Sequence, residues 1–139
     1  MVTGMMMKTV RVLVVDDEDE FRETLIKRLQ SRSLTVAGAE NGAVALKLLG
    51  EQDFDVVVLD IKMPQMDGLE FLEKLKGLNQ DLGVILLTGH GSVESGMKGL
   101  GLGALEYLMK PVPVEELLDK IRSVFEEKTR KARLESQAH

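Results

Sequence analysis

The stretch that most constrains this chain is Val56-Val57-Val58-Leu59-Asp60, followed at short range by Pro64 and Gly68. Four consecutive apolar residues, three of them β-branched, suit a strand buried on both faces, as in a parallel sheet covered by helices. The run ends on a carboxylate, and Pro64 and Gly68 then turn the chain out of the strand. Ligands of open α/β sheets bind in the crevice outside the carboxyl ends of the strands. Asp60 therefore stands where such a fold keeps its chemistry. Aspartate is also common in turns, so Asp60 taken alone is read as readily as a cap of the loop or of the next helix.

The bulk properties remove whole classes of function. A chain of 139 residues is the size of one domain and buries about two-thirds of its unfolded surface. A net charge of −5 argues against nucleic-acid binding through the domain's own surface. The absence of cysteine excludes disulfides, thiolate metal sites and a cysteine nucleophile. No apolar stretch approaches the roughly 18 residues needed to span a bilayer, and residues 1–8 are too short in apolar core for a signal peptide. They are expected to be a disordered leader that includes Met5, Met6 and Met7. The expected location is cytoplasmic, away from the membrane.

Residues 9–15 form a second β-branched run, interrupted only by Arg11, and it too ends on acid: Asp16, Asp17, Glu18, Asp19 and Glu20. Phe21, Leu25, Ile26 and Leu29 then recur at helical spacing. Acid before a helix is favoured by capping and by the macrodipole, which is enough for Asp19 and Glu20. Five acids in a row repel one another more than one helix start offsets, which suggests that some of them hold a cation. Residues 34–39 are a short strand, Asn41-Gly42 marks a turn, and Ala43, Leu46 and Leu49 line a short helix. After the strand at 56–60 comes a helix over 68–78 with Leu69, Leu72 and Leu75 as its stripe and Phe71 beside it. A strand over 82–87 runs into Thr88-Gly89-His90-Gly91, and a weaker helix covers 92–102. A fifth strand over 105–109 is closed by Lys110-Pro111. The last helix opens at Pro113, which suits a first helical position, and buries Leu117, Leu118, Ile121, Val124 and Phe125. Strands alternating with helices, five of each, give an α/β fold: a doubly wound parallel sheet in a three-layer α/β/α sandwich. The domain is expected over 9–126, with 127–139 a charged helical extension that frays, or a linker.

In a parallel sheet the polar residues that end four of these strands project from one edge: Asp16 and Asp17, Asp60, Thr88, and Lys110. Like charges a few ångströms apart repel by about 4 kcal/mol at an effective dielectric near 20, and one lysine offsets only part of this. A divalent cation would offset the rest, and oxygen-only ligands point to magnesium over zinc. A carboxylate beside magnesium can act as a nucleophile and form an acyl phosphate. A lysine and a hydroxyl nearby would bind phosphoryl oxygens as charge builds on them.

The set Asp16-Asp17, Val-Val-Val-Leu-Asp60 with Met63-Pro64 and Asp67-Gly68, Leu-Leu-Thr88-Gly89, and Tyr107-Leu-Met-Lys110-Pro111 resembles the receiver domain of bacterial two-component response regulators. The likeness runs from about Thr9 to Phe125, with all five motifs in order. It implies a flavodoxin-like sheet of order 2-1-3-4-5. It implies that Asp60 accepts a phosphoryl group from a phosphohistidine on a sensor histidine kinase or phosphotransfer protein. Asp17 and Asp60 match its magnesium ligands, with Asp16 helping directly or through water and the backbone carbonyl of Lys62 as a further ligand. Lys110 matches the lysine that pairs with the acceptor and then the phosphate, and its bond to Pro111 is implied to be cis. Thr88 matches the hydroxyl that moves in to bind the phosphoryl group, and Tyr107 the aromatic whose rotamer reports the switch. The output surface would be the fourth predicted helix, the fifth strand and the last helix, acting on a C-terminal output domain or a downstream protein, with a homodimer through the same surface. The domain is implied to be no enzyme beyond assisting its own phosphorylation and dephosphorylation.

Each residue also has a plainer reading: Thr88 as a strand residue before a glycine turn, Tyr107 as a core aromatic with a wet tip, Lys110 as a lysine snorkelling at a strand end, His90 as a loop residue with an effect on phosphate lifetime as its sharper alternative. The helix over 92–102 departs from the family pattern, because Gly96, Gly99 and Gly101 each cost near 1 kcal/mol against alanine. That segment is expected to be short or mobile. A phosphorylation-independent, receiver-like interaction scaffold is the competing reading, and the intact acid, hydroxyl and lysine set argues against it. An aspartate-nucleophile phosphatase would need a substrate-capping domain, and a flavin protein would need a phosphate cradle where this chain has a wall of acid.

Overall fold

The computed structural model describes residues 9–60, 68–77, 82–89, 101 and 106–137. Along them run β1 (Arg11–Val15), α1 (Asp19–Gln30), β2 (Thr35–Ala39), α2 (Gly42–Glu51), β3 (Val56–Asp60), α3 (Gly68–Lys76), β4 (Gly83–Thr88), β5 (Glu106–Met109) and α4 (Val114–Gln137). The sheet has the order β2-β1-β3-β4-β5, and all four pairings are parallel. Of the helix expected over 92–102, only Gly101 lies within the described residues, and it is helical.

Period-2 alternation divides the strand side chains between two cores. Leu13, Val15, Val57, Leu59, Val84 and Leu86 face one layer, with Ala45 and Leu49 of α2 and Phe71, Leu72 and Leu75 of α3. Val12, Val14, Val56, Val58, Ile85 and Leu87 face the other, with Leu25 and Leu29 of α1 and Leu117, Ile121 and Val124 of α4. Every residue of β3 is buried, as its unbroken apolar run requires. The chain leaves β1 outward to β2 and returns to β3 on the other side. This reversal opens a crevice between the carboxyl ends of β1 and β3.

Local chemistry refines several sequence expectations. Asn41 is not part of a turn but the N-cap of α2, its side chain accepting from the Val44 N–H at 2.9 Å. Ala43 is exposed; the buried stripe of α2 runs through Gly42, Ala45 and Leu49, because capping at Asn41 sets the helical phase. The third helix ends at Lys76 rather than 78. The last helix begins at Val114, one residue later than expected, with the Pro113 carbonyl accepting from the Leu117 N–H at 3.1 Å. That helix also continues unbroken to Gln137. Its extension is held where it leaves the domain, as Lys128 Nζ lies 3.2 Å from Asp55 Oδ1. At the far end of α1, Ser33 takes a left-handed φ of 68°. This lets the Leu34 N–H reach back to the Leu29 carbonyl at 3.4 Å and close the helix.

Two glycines set how closely the helices approach. A Cβ on Gly83 would lie 2.1 Å from Val124 Cγ1 of α4, and one on Gly38 would lie 2.6 Å from Ile26 Cδ1 and 3.3 Å from Arg22 Cδ of α1. Gly83→Ala is therefore expected to destabilise the domain by about 1–3 kcal/mol through overpacking. Urea denaturation measures this, and Gly83→Ala combined with Val124→Ala should lose less than the sum of the two single changes.

Candidate functional site

Four strand ends meet at the crevice. Asp60 closes β3 and pairs in register with Leu87, one residue before Thr88. Asp16 follows β1, and its N–H donates to the Ala39 carbonyl at 3.1 Å. The Lys110 N–H donates to the Thr88 carbonyl at 2.7 Å, extending the β4–β5 ladder, and the Lys110–Pro111 peptide is cis. Asp16 is 1% exposed, Asp60 7% and Thr88 1%, whereas Asp17 is exposed. Buried acid at a sheet edge is costly unless paired.

The partners of Asp16 are divided between its two oxygens. Oδ1 accepts from the Glu18 N–H at 2.9 Å, and Oδ2 accepts from Lys110 Nζ at 3.0 Å. Its backbone carbonyl accepts from Arg22 Nη1 at 2.7 Å, while Nη2 of the same guanidinium reaches Asp19 Oδ1, also at 2.7 Å. Arg22 thus ties the acidic turn to the first turn of α1. The close approach of α1 over Gly38 brings that guanidinium within reach.

Lys110 is the cation at the centre. Its Nζ lies 3.0 Å from Asp16, 3.3 Å from Glu18 and 3.6 Å from Asp60, and 4.3 Å from the centroid of the Phe21 ring. Burial pushes the ammonium toward deprotonation. The hydrogen bond to Asp16, the charges of Asp60 and Asp16 and the bond to Glu18 outweigh it, so its pKa is raised above the ordinary lysine value. The lysine stays charged at any ordinary pH.

Asp16, Asp17 and Asp60 each offer one carboxylate oxygen, and the three lie within 4.8 Å of one another. Oxygens around one magnesium at about 2.1 Å are separated by roughly 3–4 Å, so a small closing movement brings this set into range. The donors are all hard oxygens, which suits magnesium. Thr88 Oγ1 is buried without a hydrogen-bond partner among the described residues. Tyr107 is half-buried against the core on the α2 and α3 side. It pairs with Leu86, so by alternation it shares a sheet face with Thr88. Lys62, His90 and the segments Met63-Pro64 and Asp67 fall outside the described residues. Three contributors were not singled out from sequence: Glu18 and Phe21 around Lys110, and Arg22 beneath Asp16. Their spacing marks them only as helix-start and helix-face residues; the contacts of Glu18 and Phe21 with Lys110 span about ninety positions, and that of Arg22 is to a backbone carbonyl six positions back.

Comparison with known proteins agrees with this geometry. The family model described as a response regulator receiver domain matches residues 12–122. The response regulator MprA of Mycobacterium sp. (strain KMS) is 42% identical over 115 residues, covering 83% of this chain and 50% of that protein. The chain thus spans about half the length of the curated relatives it matches. A response regulator receiver domain protein from Clostridium thermocellum superposes with a TM-score of 0.82 at 31% identity, covering 86% of this chain and 97% of the other. A CheY-like receiver domain protein from Methanospirillum hungatei JF-1 gives a TM-score of 0.83 at 31% identity, covering 89% and 99%. Among the described residues, no helix is long and apolar enough to cross a membrane.

Among the described residues the buried Thr88 hydroxyl has no partner. Removing a buried, unsatisfied polar atom while keeping its shape relieves a desolvation cost. Thr88→Val is expected to stabilise the unmodified protein by about 1 kcal/mol, measured as a higher urea midpoint at unchanged slope.

Proposed function

Because this chain belongs to the response regulator receiver domain family of two-component signalling systems, we propose that it is a phosphorylation-driven switch whose phosphoacceptor is Asp60. The observation that carries the reading is the position of Asp60. It is a nearly buried carboxylate at the carboxyl end of the central strand, grouped with two further acids and 3.6 Å from a lysine. In this reading Asp60 attacks the phosphorus of a phosphohistidine on a sensor histidine kinase or phosphotransfer protein. A P–O bond forms, the P–N bond breaks, and the imidazole nitrogen leaves with the electron pair.

Each neighbour then has a task. Asp17 and Asp60, with Asp16 and the backbone carbonyl of Lys62, would hold magnesium, which supplies charge neutralisation of the phosphoryl oxygens. Lys110 counters the remaining negative charge. The Thr88 hydroxyl has no partner among the described residues, and it is available to donate to a phosphoryl oxygen. Movement of Thr88 is coupled to Tyr107 on the same face of the sheet, and the balance of two conformations shifts with the new contacts. The surface that changes comprises β5, α4 and the segment preceding β5. It acts on an output domain or a separate protein, and a homodimer forms through the same face. The domain is not an enzyme on another substrate; it assists only its own phosphorylation and dephosphorylation, in the cytoplasm.

Incubation with acetyl phosphate and magnesium is expected to add one phosphoryl group by intact mass. The gain should disappear without magnesium and in Asp60→Asn. No gain with any phosphodonor would favour a phosphorylation-independent scaffold. Magnesium alone should raise the melting temperature of the unmodified protein. Asp17→Asn should shift the magnesium midpoint of that rise by about tenfold, the loss of one anionic ligand being worth roughly 1.4 kcal/mol.

A further inference from the structure

We infer that Glu18 is a positioning residue: it holds Lys110 back from Asp60 in the unmodified protein and sets how readily that lysine transfers to a phosphoryl group. The inference rests on Asp60 being the phosphoacceptor.

Glu18 occupies the N-cap of α1, with extended backbone angles of φ −83° and ψ 102°. An acid in that position ordinarily folds its side chain back onto the free N–H groups of the first turn. Glu18 makes no such bond. Its backbone alone serves the turn, the N–H donating to Asp16 and the carbonyl accepting from the Arg22 N–H at 2.9 Å. The carboxylate instead extends across the crevice to Lys110 Nζ, 92 positions away in the chain. Short side chains cap best; here the longer glutamate forgoes the cap and gains the reach.

The consequence lies in the order of distances around Nζ. Asp16 and Glu18 stand at 3.0 and 3.3 Å, and Asp60 is the most distant of the three carboxylates at 3.6 Å. Asp16 is fixed by burial and uses both of its oxygens. Glu18 is different: its side chain is 66% exposed, so the contact breaks at little cost. A phosphoryl group on Asp60 adds negative charge at the carboxylate that stands furthest from Nζ of the three, and Nζ can follow it by releasing Glu18 while keeping Asp16. The Phe21 ring, 4.3 Å away, walls the ammonium in during that short movement. Glu18 therefore acts as a brake on the activated state.

An exposed ion pair of this kind is worth a factor of about two to five in an equilibrium, and that sets the effect expected. The test measures the affinity of the full chain for beryllofluoride, a tetrahedral phosphoryl mimic, in saturating magnesium. The readout is the fluorescence of Tyr107, in a chain with one tyrosine and no tryptophan, backed by thermal shift. Glu18→Gln keeps the shape and loses the charge, and should bind about two- to fivefold tighter. Glu18→Asp keeps the charge but is one methylene too short, and as a good N-cap it should also bind tighter. In a Lys110→Met background, the Glu18→Gln gain should vanish.

If Glu18 merely repels incoming anions, Glu18→Asp will match the unsubstituted protein and the Glu18→Gln gain will persist in Lys110→Met; either result overturns the inference. Mimic binding that is unchanged in Glu18→Gln overturns it alone and leaves Asp60 as acceptor standing. Failure of the unsubstituted protein both to bind the mimic and to gain a phosphoryl group overturns the two together.

Discussion

The constraint on which the rest of the structure depends is the crowding of acid at the carboxyl edge of the sheet. Asp16, Asp17 and Asp60 place three carboxylate oxygens within 4.8 Å of one another, and two of these residues are nearly buried. Such a group persists only if cations and donors are held against it. Lys110 supplies the charge from the end of β5 and Arg22 fixes the backbone of the acidic turn. The Glu18 N–H fills the remaining oxygen of Asp16. Each of these comes from a different strand end or from the start of α1. The site is stable only because the sheet is already assembled.

That dependence explains why so much of the chain is committed to rigidity elsewhere. The two apolar layers lock β1, β3 and β4 from both sides, so the register that sets Asp60 beside Leu87 and Thr88 cannot slip without exposing a whole face. Glycine at positions 38 and 83 lets α1 and α4 settle close to the sheet. The first of these approaches also positions Arg22. Against this frame the site keeps unused capacity. A buried hydroxyl at Thr88 goes without a partner among the described residues, and an exposed glutamate holds the lysine loosely. Neither feature adds to the stability of the unmodified domain, and departures of this kind from local consistency concentrate at functional sites.

Much of this was legible in advance because burial on both faces leaves an unambiguous mark. Val56–Asp60 suited an interior parallel strand, and in a parallel sheet the polar residues ending β1, β3, β4 and β5 share one edge. The cis bond before Pro111, implied by the family resemblance, is present. Local phase was less legible. Asn41-Gly42 has the composition of a turn, yet the same Asn is an N-cap, and Ala43 moved to the solvent face as a result. The charged tail after Phe125 was legible as a helical extension or a linker, but not that the helix runs unbroken to Gln137, because the Lys128 contact with Asp55 that anchors its start is a tertiary one.

What the sequence by itself determined, then, was the architecture and the chemical kind of the site: an α/β sheet with acid, hydroxyl and lysine gathered at one edge. Hydrophobic periodicity and strand endings are local properties, and parallel topology converts them into position. What only the tertiary structure decided was the pairing within the site. Lys110 sits nearer to Asp16 and Glu18 than to Asp60, the Phe21 ring flanks it, and Arg22 grips the turn from beneath. Most of those pairings join groups far apart in the chain, Lys110 with Asp16 and Glu18 across more than ninety positions. They are settled by how closely the helices pack on the sheet, which no local pattern in the chain records.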